Sequence, residues 1–390
     1  MANKQMIALG NTRSAIRDLY EFGKQLANER GAENVFDFSL GNPNIPAPDC
    51  VFESIARHSQ NPNTHGYTSA QGDISVRKKI AEYNNRMWNV GLSADDIYIT
   101  MGAAPALILC FRSLNEDNNE FITIAPFFPE YRVFVENSGA KLVVCQSKED
   151  FSLDIQAIEK AINKNTKGII INSPNNPAGN IYSEQEIKAL SQMLERKQAE
   201  LNTKIYLISD EPYREITYGK EVVNPMLYYN NTIICYSFSK TLSLAGERIG
   251  YVAISPKAAD NRDIYAAICG SGRAIGYVCA PSLFQQVIGD CLGKTSDISA
   301  YKKNRDLIYG IMTKLNFECV KPEGAFYLFV KCPIDPQEFF EVCKGEGVLV
   351  VPSESFGVKG YFRISYCVAT DTITRSAPRF EAIAKKCGLI

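Results

Sequence analysis

Between residues 97 and 254 the chain alternates short apolar runs with stretches of helical character, and that pattern leaves few folds open. The runs fall at Ile97–Thr100, Phe121–Ala125, Lys141–Cys145, Gly168–Asn172, Ile205–Ser209, Thr232–Tyr236 and Ile249–Ile254, with helical segments such as Ser183–Lys197 between many of them. Runs apolar on both faces and joined through helices predict an α/β fold, with a mostly parallel seven-stranded sheet between helices. Beyond about residue 290 the character changes. A long helix near 297–315 precedes strands near 325–331, 348–352 and 361–366 and a final helix near 370–385, which predicts a smaller α+β domain. Upstream, helices are expected over 13–30 and 72–90. Segment 1–40 has no sheet of its own and is expected to pack with the small domain. The chain then divides into that segment, a large domain over 41–289 and a small domain over 290–390.

Charge and cysteine usage exclude several classes. The 42 basic and 43 acidic residues nearly cancel, so neither nucleic acid nor an anionic membrane is an expected partner. No apolar stretch of signal-peptide or membrane-span length is present, and a cytoplasmic location is expected. The twelve cysteines are scattered, with no CxxC pair, and Cys110, Cys145 and Cys235 sit in apolar runs. They read as reduced, buried thiols. Only His58 and His65 are available as imidazoles, which rules out a multi-histidine metal site; both read as solvated or structural, and no metal is expected.

Four stretches carry chemistry. In TIICYSFSKTLSLAGERIG a buried strand ends in Ser237-Phe238-Ser239-Lys240, and Arg248 follows eight residues after the lysine. Ligands of parallel α/β sheets bind at the carboxyl ends of strands. A lysine buried there could lose its proton and do carbonyl chemistry, while two hydroxyls and a guanidinium suit a phosphate. In IYLISDEPYREI, Asp210 closes a strand, with Tyr213 three residues on; it reads as a cap, a salt-bridge partner or an anion facing a cationic heterocycle. In GIIINSPNNPAGN, a strand runs into Asn176, which reads as a turn or as a donor into the crevice. In YITMGAAPALILCF, a strand ends at Gly102-Ala103-Ala104 where a helix begins, an arrangement whose backbone N–H groups bind phosphate.

Taken in this order, the stretches resemble the fold-type I pyridoxal 5'-phosphate (PLP) aminotransferases of class I/II, the aspartate aminotransferase superfamily. SFSKTLSLAGERIG is the most specific match, and GNPNIPAP, GYTSAQG, PFFPEYRVF, NNPAG, SDEPYREI and YFRISYC have counterparts too, so the resemblance spans about residues 36–366. It implies PLP as cofactor, held as a Schiff base on Lys240. It further implies that Asp210 meets the ring nitrogen, that Tyr213 and Asn176 meet the ring's phenolic oxygen, and that Phe128 stacks on the ring. The phosphate would be held by Gly102, Ala103, Ala104, Ser237, Ser239 and Arg248, and by Tyr67 of a neighbouring subunit, which implies a homodimer with shared active sites. Arg363 would clamp the substrate carboxylate, with Gly41 close by. The implied reaction moves an amino group from an L-amino acid to a 2-oxo acid by a ping-pong route.

Two positions depart from the family pattern. Ala104 stands where a hydroxyl is common, and Arg273 is a poorly spaced candidate for binding a second substrate carboxylate. Residues near Ile16 and Arg17 are further candidates for the side-chain pocket. The same motifs would serve a carbon–sulfur β-lyase or a β-decarboxylase. A ligand-sensing domain without catalysis ranks lower, since no DNA-binding segment is evident. A nucleotide-dependent enzyme ranks lowest, since neither GxGxxG after a strand nor GxxxxGK[ST] occurs.

Overall fold

The structure, a computed structural model, describes residues 2–11, 15–116 and 118–390. In chain order its strands are β1 (Phe36–Asp37), β2 (Ile97–Thr100), β3 (Glu120–Ala125), β4 (Lys141–Gln146), β5 (Thr166–Asn172), β6 (Tyr206–Asp210), β7 (Thr232–Ser237), β8 (Gly250–Ile254), β9 (Tyr327–Lys331), β10 (Val348–Leu349), β11 (Val351–Pro352) and β12 (Tyr361–Ser365). The seven strands from β2 to β8 form one sheet in the order β2-β8-β7-β6-β5-β3-β4. β4, β3, β5, β6 and β7 pair in parallel, whereas β8 runs antiparallel to both β7 and β2. The expected α/β layer fold is therefore present, and strand ends differ from the sequence reading by one or two residues.

Successive residues of a strand face opposite sides, and here both sides are dry. Ile170, Ile208, Ile233 and Cys235 pack with helices Ala103–Leu114 and Asn261–Ile275. Their neighbours Ile169, Ile171 and Leu207 pack on helix Glu184–Leu201, while Ile234 and Tyr236 pack toward helices Ile74–Trp88 and Ser282–Asp290. Local signals start these helices. Ser183 and Glu186 form a reciprocal capping box, and the Asp73 carboxylate accepts from the backbone of Ser75 and Val76.

The run expected as one strand at 348–352 is divided. β10 pairs in parallel with β1, whereas β11 joins the antiparallel sheet β11-β12-β9. An apolar run of this length cannot reveal which partner each half takes, because pairing is fixed by distant segments. Phe36 and Phe38 from the N-terminal stretch are buried with Ile308, Phe362 and Phe380 from the C-terminal one. Among the described residues no helix is long and apolar enough to cross a membrane.

Candidate active site

The parallel strands deliver their last residues to one edge of the sheet. Asn172 ends β5 and lies in register with Asp210 at the end of β6, and Ser237 ends β7. Next to them the helix Ala103–Leu114 begins after Gly102. Together these ends form a cavity of about 280 Å³, lined also by Gly41, Leu107, Phe128, Pro212, Ala245, Tyr327 and Arg363. That volume is near the lower end for small-molecule sites. A larger groove, about 600 Å³, lies between helices Ala15–Arg30 and Pro336–Gly345, but its walls are mainly Leu19, Phe22, Phe340, Val348 and Val350. The convergent polar groups belong to the smaller cavity.

Lys240 lies in the one-turn helix Phe238–Thr241 that follows β7. Its Nζ donates to the Gly41 carbonyl at 2.7 Å. Burial pulls the ammonium down to about 8, with the Arg248 and Arg363 guanidinium groups adding to the effect and the Cys367 thiol opposing it. Burial pushes the Asp210 carboxyl the other way, up to about 7, against the hydrogen bond that Tyr131 donates to its Oδ2 at 2.6 Å. Its Oδ1 is buried with no hydrogen-bond partner among the described residues. A buried carboxylate oxygen left in this way calls for a donor from outside the chain.

At one side of the cavity Ser237, Ser239 and Arg248 form a cluster of donors. Ser237 Oγ donates to Ser239 Oγ at 2.8 Å, and Arg248 Nη1 approaches Ser239 Oγ at 3.3 Å. Arg248 holds a left-handed backbone conformation, φ 54°, a strain that proteins keep where the surroundings enforce it. Gly102 has φ 91°, and a Cβ there would lie 2.9 Å from Arg248 Nη2. Only glycine lets the guanidinium come this close to the helix N-terminus.

At the other side Arg363 is fully buried. It donates to the Ser39 carbonyl at 2.6 Å and to Asn176 Oδ1 at 3.0 Å, and its Nε has no partner. Because the Asn176 oxygen is committed to Arg363, the amide's N–H₂ end is the one left for the cavity. Tyr327 lies beneath the guanidinium, 4.6 Å from ring centre to carbon, and its hydroxyl is 3.0 Å from that of Tyr213. A Cβ on Gly41 would fall 2.1 Å from the Tyr327 hydroxyl, so the chain can pass here only as glycine.

Most sequence candidates thus meet in one place: Gly41, Gly102, Ala103, Ala104, Phe128, Asn176, Asp210, Tyr213, Ser237, Ser239, Lys240, Arg248 and Arg363 line the cavity or border it. Tyr67 does not enter the cavity of its own chain; it is 89% exposed, in a surface depression with Met101 and Pro281. Arg273 is exposed near the end of helix Asn261–Ile275, and the side chains of Ile16 and Arg17 lie outside the described residues. Both histidines bond to protein groups, His58 to Asp290 and His65 to the Ser59 carbonyl, each at 2.9 Å. Sequence reasoning missed Tyr131, Tyr327, Asn172 and Cys367. Tyr131 stands three residues after Phe128 within a quoted motif, but nothing in its type or spacing points it at Asp210.

Comparison with known proteins gives one result. The family described as aminotransferase class I and II matches residues 33–380. An aspartate aminotransferase from Bacillus subtilis is 30% identical, covering 90% of this chain and 92% of its own. A probable N-acetyl-LL-diaminopimelate aminotransferase from the same organism is 28% identical, covering 91% and 90%. The crystal structure of an aminotransferase from Eubacterium rectale is 52% identical over 99% of both chains, with a TM-score of 0.97.

Proposed function

This chain belongs to the aminotransferase class I and II family, whose members use PLP, and from that premise we propose that the cavity around Lys240 is its transamination site. The observation that carries this reading is the pairing of a buried lysine, drawn down to about 8, with a buried aspartate whose Oδ1 lacks a partner. The cavity fits the cofactor on three counts. Ser237, Ser239, Arg248 and the helix start at Gly102 supply donors for a phosphate. Phe128 supplies an aromatic face, and Asp210 Oδ1 awaits a cationic N–H. Bound there, PLP supplies the electron sink that stabilises charge developing at the substrate α-carbon.

The chain's residues then have separable tasks. Lys240 would hold the cofactor covalently, and its amine, when free, would carry the substrate's α-proton. Asp210, ionised by a cationic partner, keeps that partner protonated. Tyr213 and the Asn176 amide would donate to the ring's phenolic oxygen. Arg363 presents its guanidinium to the substrate carboxylate and Gly41 leaves room for it. An amino acid enters in the first half-reaction and a 2-oxo acid in the second. Identity of these substrates varies among the relatives, one named for aspartate and another for N-acetyl-LL-diaminopimelate.

Three broader features complete the proposal. The exposed Tyr67 reaches the phosphate site of a second copy, giving a homodimer with shared sites. The burial of Phe36 and Phe38 among C-terminal residues supports a small domain, 290–390, joined by segment 1–40, beside a large domain over 41–289. Twelve unpaired cysteines suit a reducing, cytoplasmic setting. The test is the visible spectrum of the PLP-loaded protein as single amino acids are added without a 2-oxo acid. The yellow band should bleach with the true donor and return with an acceptor, and Lys240→Ala should lose both band and turnover. Full transamination by Lys240→Ala would overturn the assignment.

A further inference from the structure

On the far face of the sheet, behind the cavity, lies a buried ionic cluster that the reaction above does not use. The Arg214 guanidinium is held between the rings of Trp88 and Tyr236, 4.7 and 4.2 Å from their centres. Its Nη1 donates to Glu211 and to Asn84, each at 3.3 Å, its Nη2 to the Tyr251 hydroxyl at 3.0 Å, and its Nε to Glu215 at 3.2 Å. The second oxygen of Glu215 accepts from the hydroxyls of Tyr236 and Thr241, each at 2.8 Å. Thr241 is the residue after Lys240, in the same one-turn helix.

Burying these charges costs several kcal/mol in desolvation, and well-packed apolar residues often serve stability as well or better. Stability alone is therefore a poor account of the cluster. Its anchorage is more telling. A helix of four residues has little hydrogen bonding of its own to hold it. The lysine side chain is flexible, and among the described residues its amine bonds only to the Gly41 carbonyl. From the opposite face, Glu215 fixes the next residue in the chain.

We propose that Glu215, held by Arg214, is a positioning residue for Lys240: by pinning Thr241 it keeps the lysine amine aimed into the cavity whenever that amine is free of the cofactor. The inference rests on Lys240 being the cofactor-bearing residue. It predicts that weakening the anchor harms the steps in which a free amine must attack or carry a proton, and spares substrate binding.

Thr241→Val keeps the side chain's shape and deletes its donor, whereas Thr241→Ser keeps the donor, so this pair tests the anchor without emptying the ionic cluster. Two quantities are measured: the rate at which the visible band forms when PLP is added to cofactor-stripped protein, and steady-state transamination. Thr241→Val should slow band formation and lower kcat, each by roughly 10- to 100-fold, through misplacement of the amine. KM for the amino acid should stay within about twofold, since binding is untouched. Thr241→Ser should restore both rates. A Thr241→Val protein with wild-type band formation and kcat would overturn the proposal, as would one whose losses match only a smaller folded fraction. A wild-type chain that forms no band would overturn the lysine assignment and this inference together; a normal wild type beside an unaffected valine variant overturns this inference alone.

Discussion

The return of PLP to cofactor-stripped protein should depend on pH in a way that reports the burial of Lys240. Only an unprotonated amine attacks the aldehyde. A solvated lysine loses its proton near 10.5, whereas the dry cavity, helped by Arg248 and Arg363 against the Cys367 thiol, brings Lys240 to about 8. At pH 7 that leaves about one amine in ten unprotonated, compared with roughly one in 3,000 for the solvated group. The gain is about 300-fold in reactive species, equivalent to about 3 kcal/mol. Because the shift is downward, reactivity grows as pH rises and levels off above the folded-state value. The rate of band formation, followed by stopped-flow absorbance between about pH 6 and 10, should therefore be half-maximal near 8. Lys240→Ala, the control, should give no band at any pH. A rate that keeps rising about tenfold per pH unit up to pH 10 would mean that the amine is solvated, and a flat profile would mean that its deprotonation does not govern the step; either result would refute the argument.

Three substitutions extend the test. Asp210→Asn removes the anion whose Oδ1 has no partner among the described residues, and loss of a charge-assisted contact of about 2–3 kcal/mol should lower kcat by roughly 30- to 150-fold; an unchanged kcat would separate Asp210 from the chemistry. Arg363→Lys keeps the charge but loses the planar fork, so KM for the amino acid should rise about 10- to 100-fold, measured by steady-state kinetics, while the cofactor's band persists. Gly41→Ala places a methyl group 2.1 Å from the Tyr327 hydroxyl. Overpacking of that kind should cost about 1–3 kcal/mol, seen as a lower chemical-denaturation midpoint, and a fully stable alanine variant would refute the close approach.

How much of this was legible beforehand can be judged at particular residues. Lys240, Asp210 and Asn176 drew attention because each ends or follows a strand run, and in a parallel sheet such ends converge, but their roles came only with the family resemblance. Gly102 stood out only weakly, as a small residue where a helix begins after a strand. Tyr131 and Tyr327 carried no such mark. Both look like ordinary core aromatics, yet one bonds Asp210 and the other links Tyr213 to Arg363. Arg214 and Glu215 lie inside a quoted motif, but nothing in their spacing predicts that Arg214 holds Glu215 while Glu215 accepts from Thr241.

The sequence by itself determined the layers and where the strands end, because apolar alternation and strand length are local properties that burial on both faces enforces. It also determined which residue types stand at those ends. Only the tertiary structure decided that residues 348–352 divide between two sheets and that Arg363 is buried against Asn176 and the Ser39 carbonyl. Each of these depends on segments far apart in the chain, Ser39 and Arg363 among them, and such meetings are set by how finished layers pack rather than by any local preference.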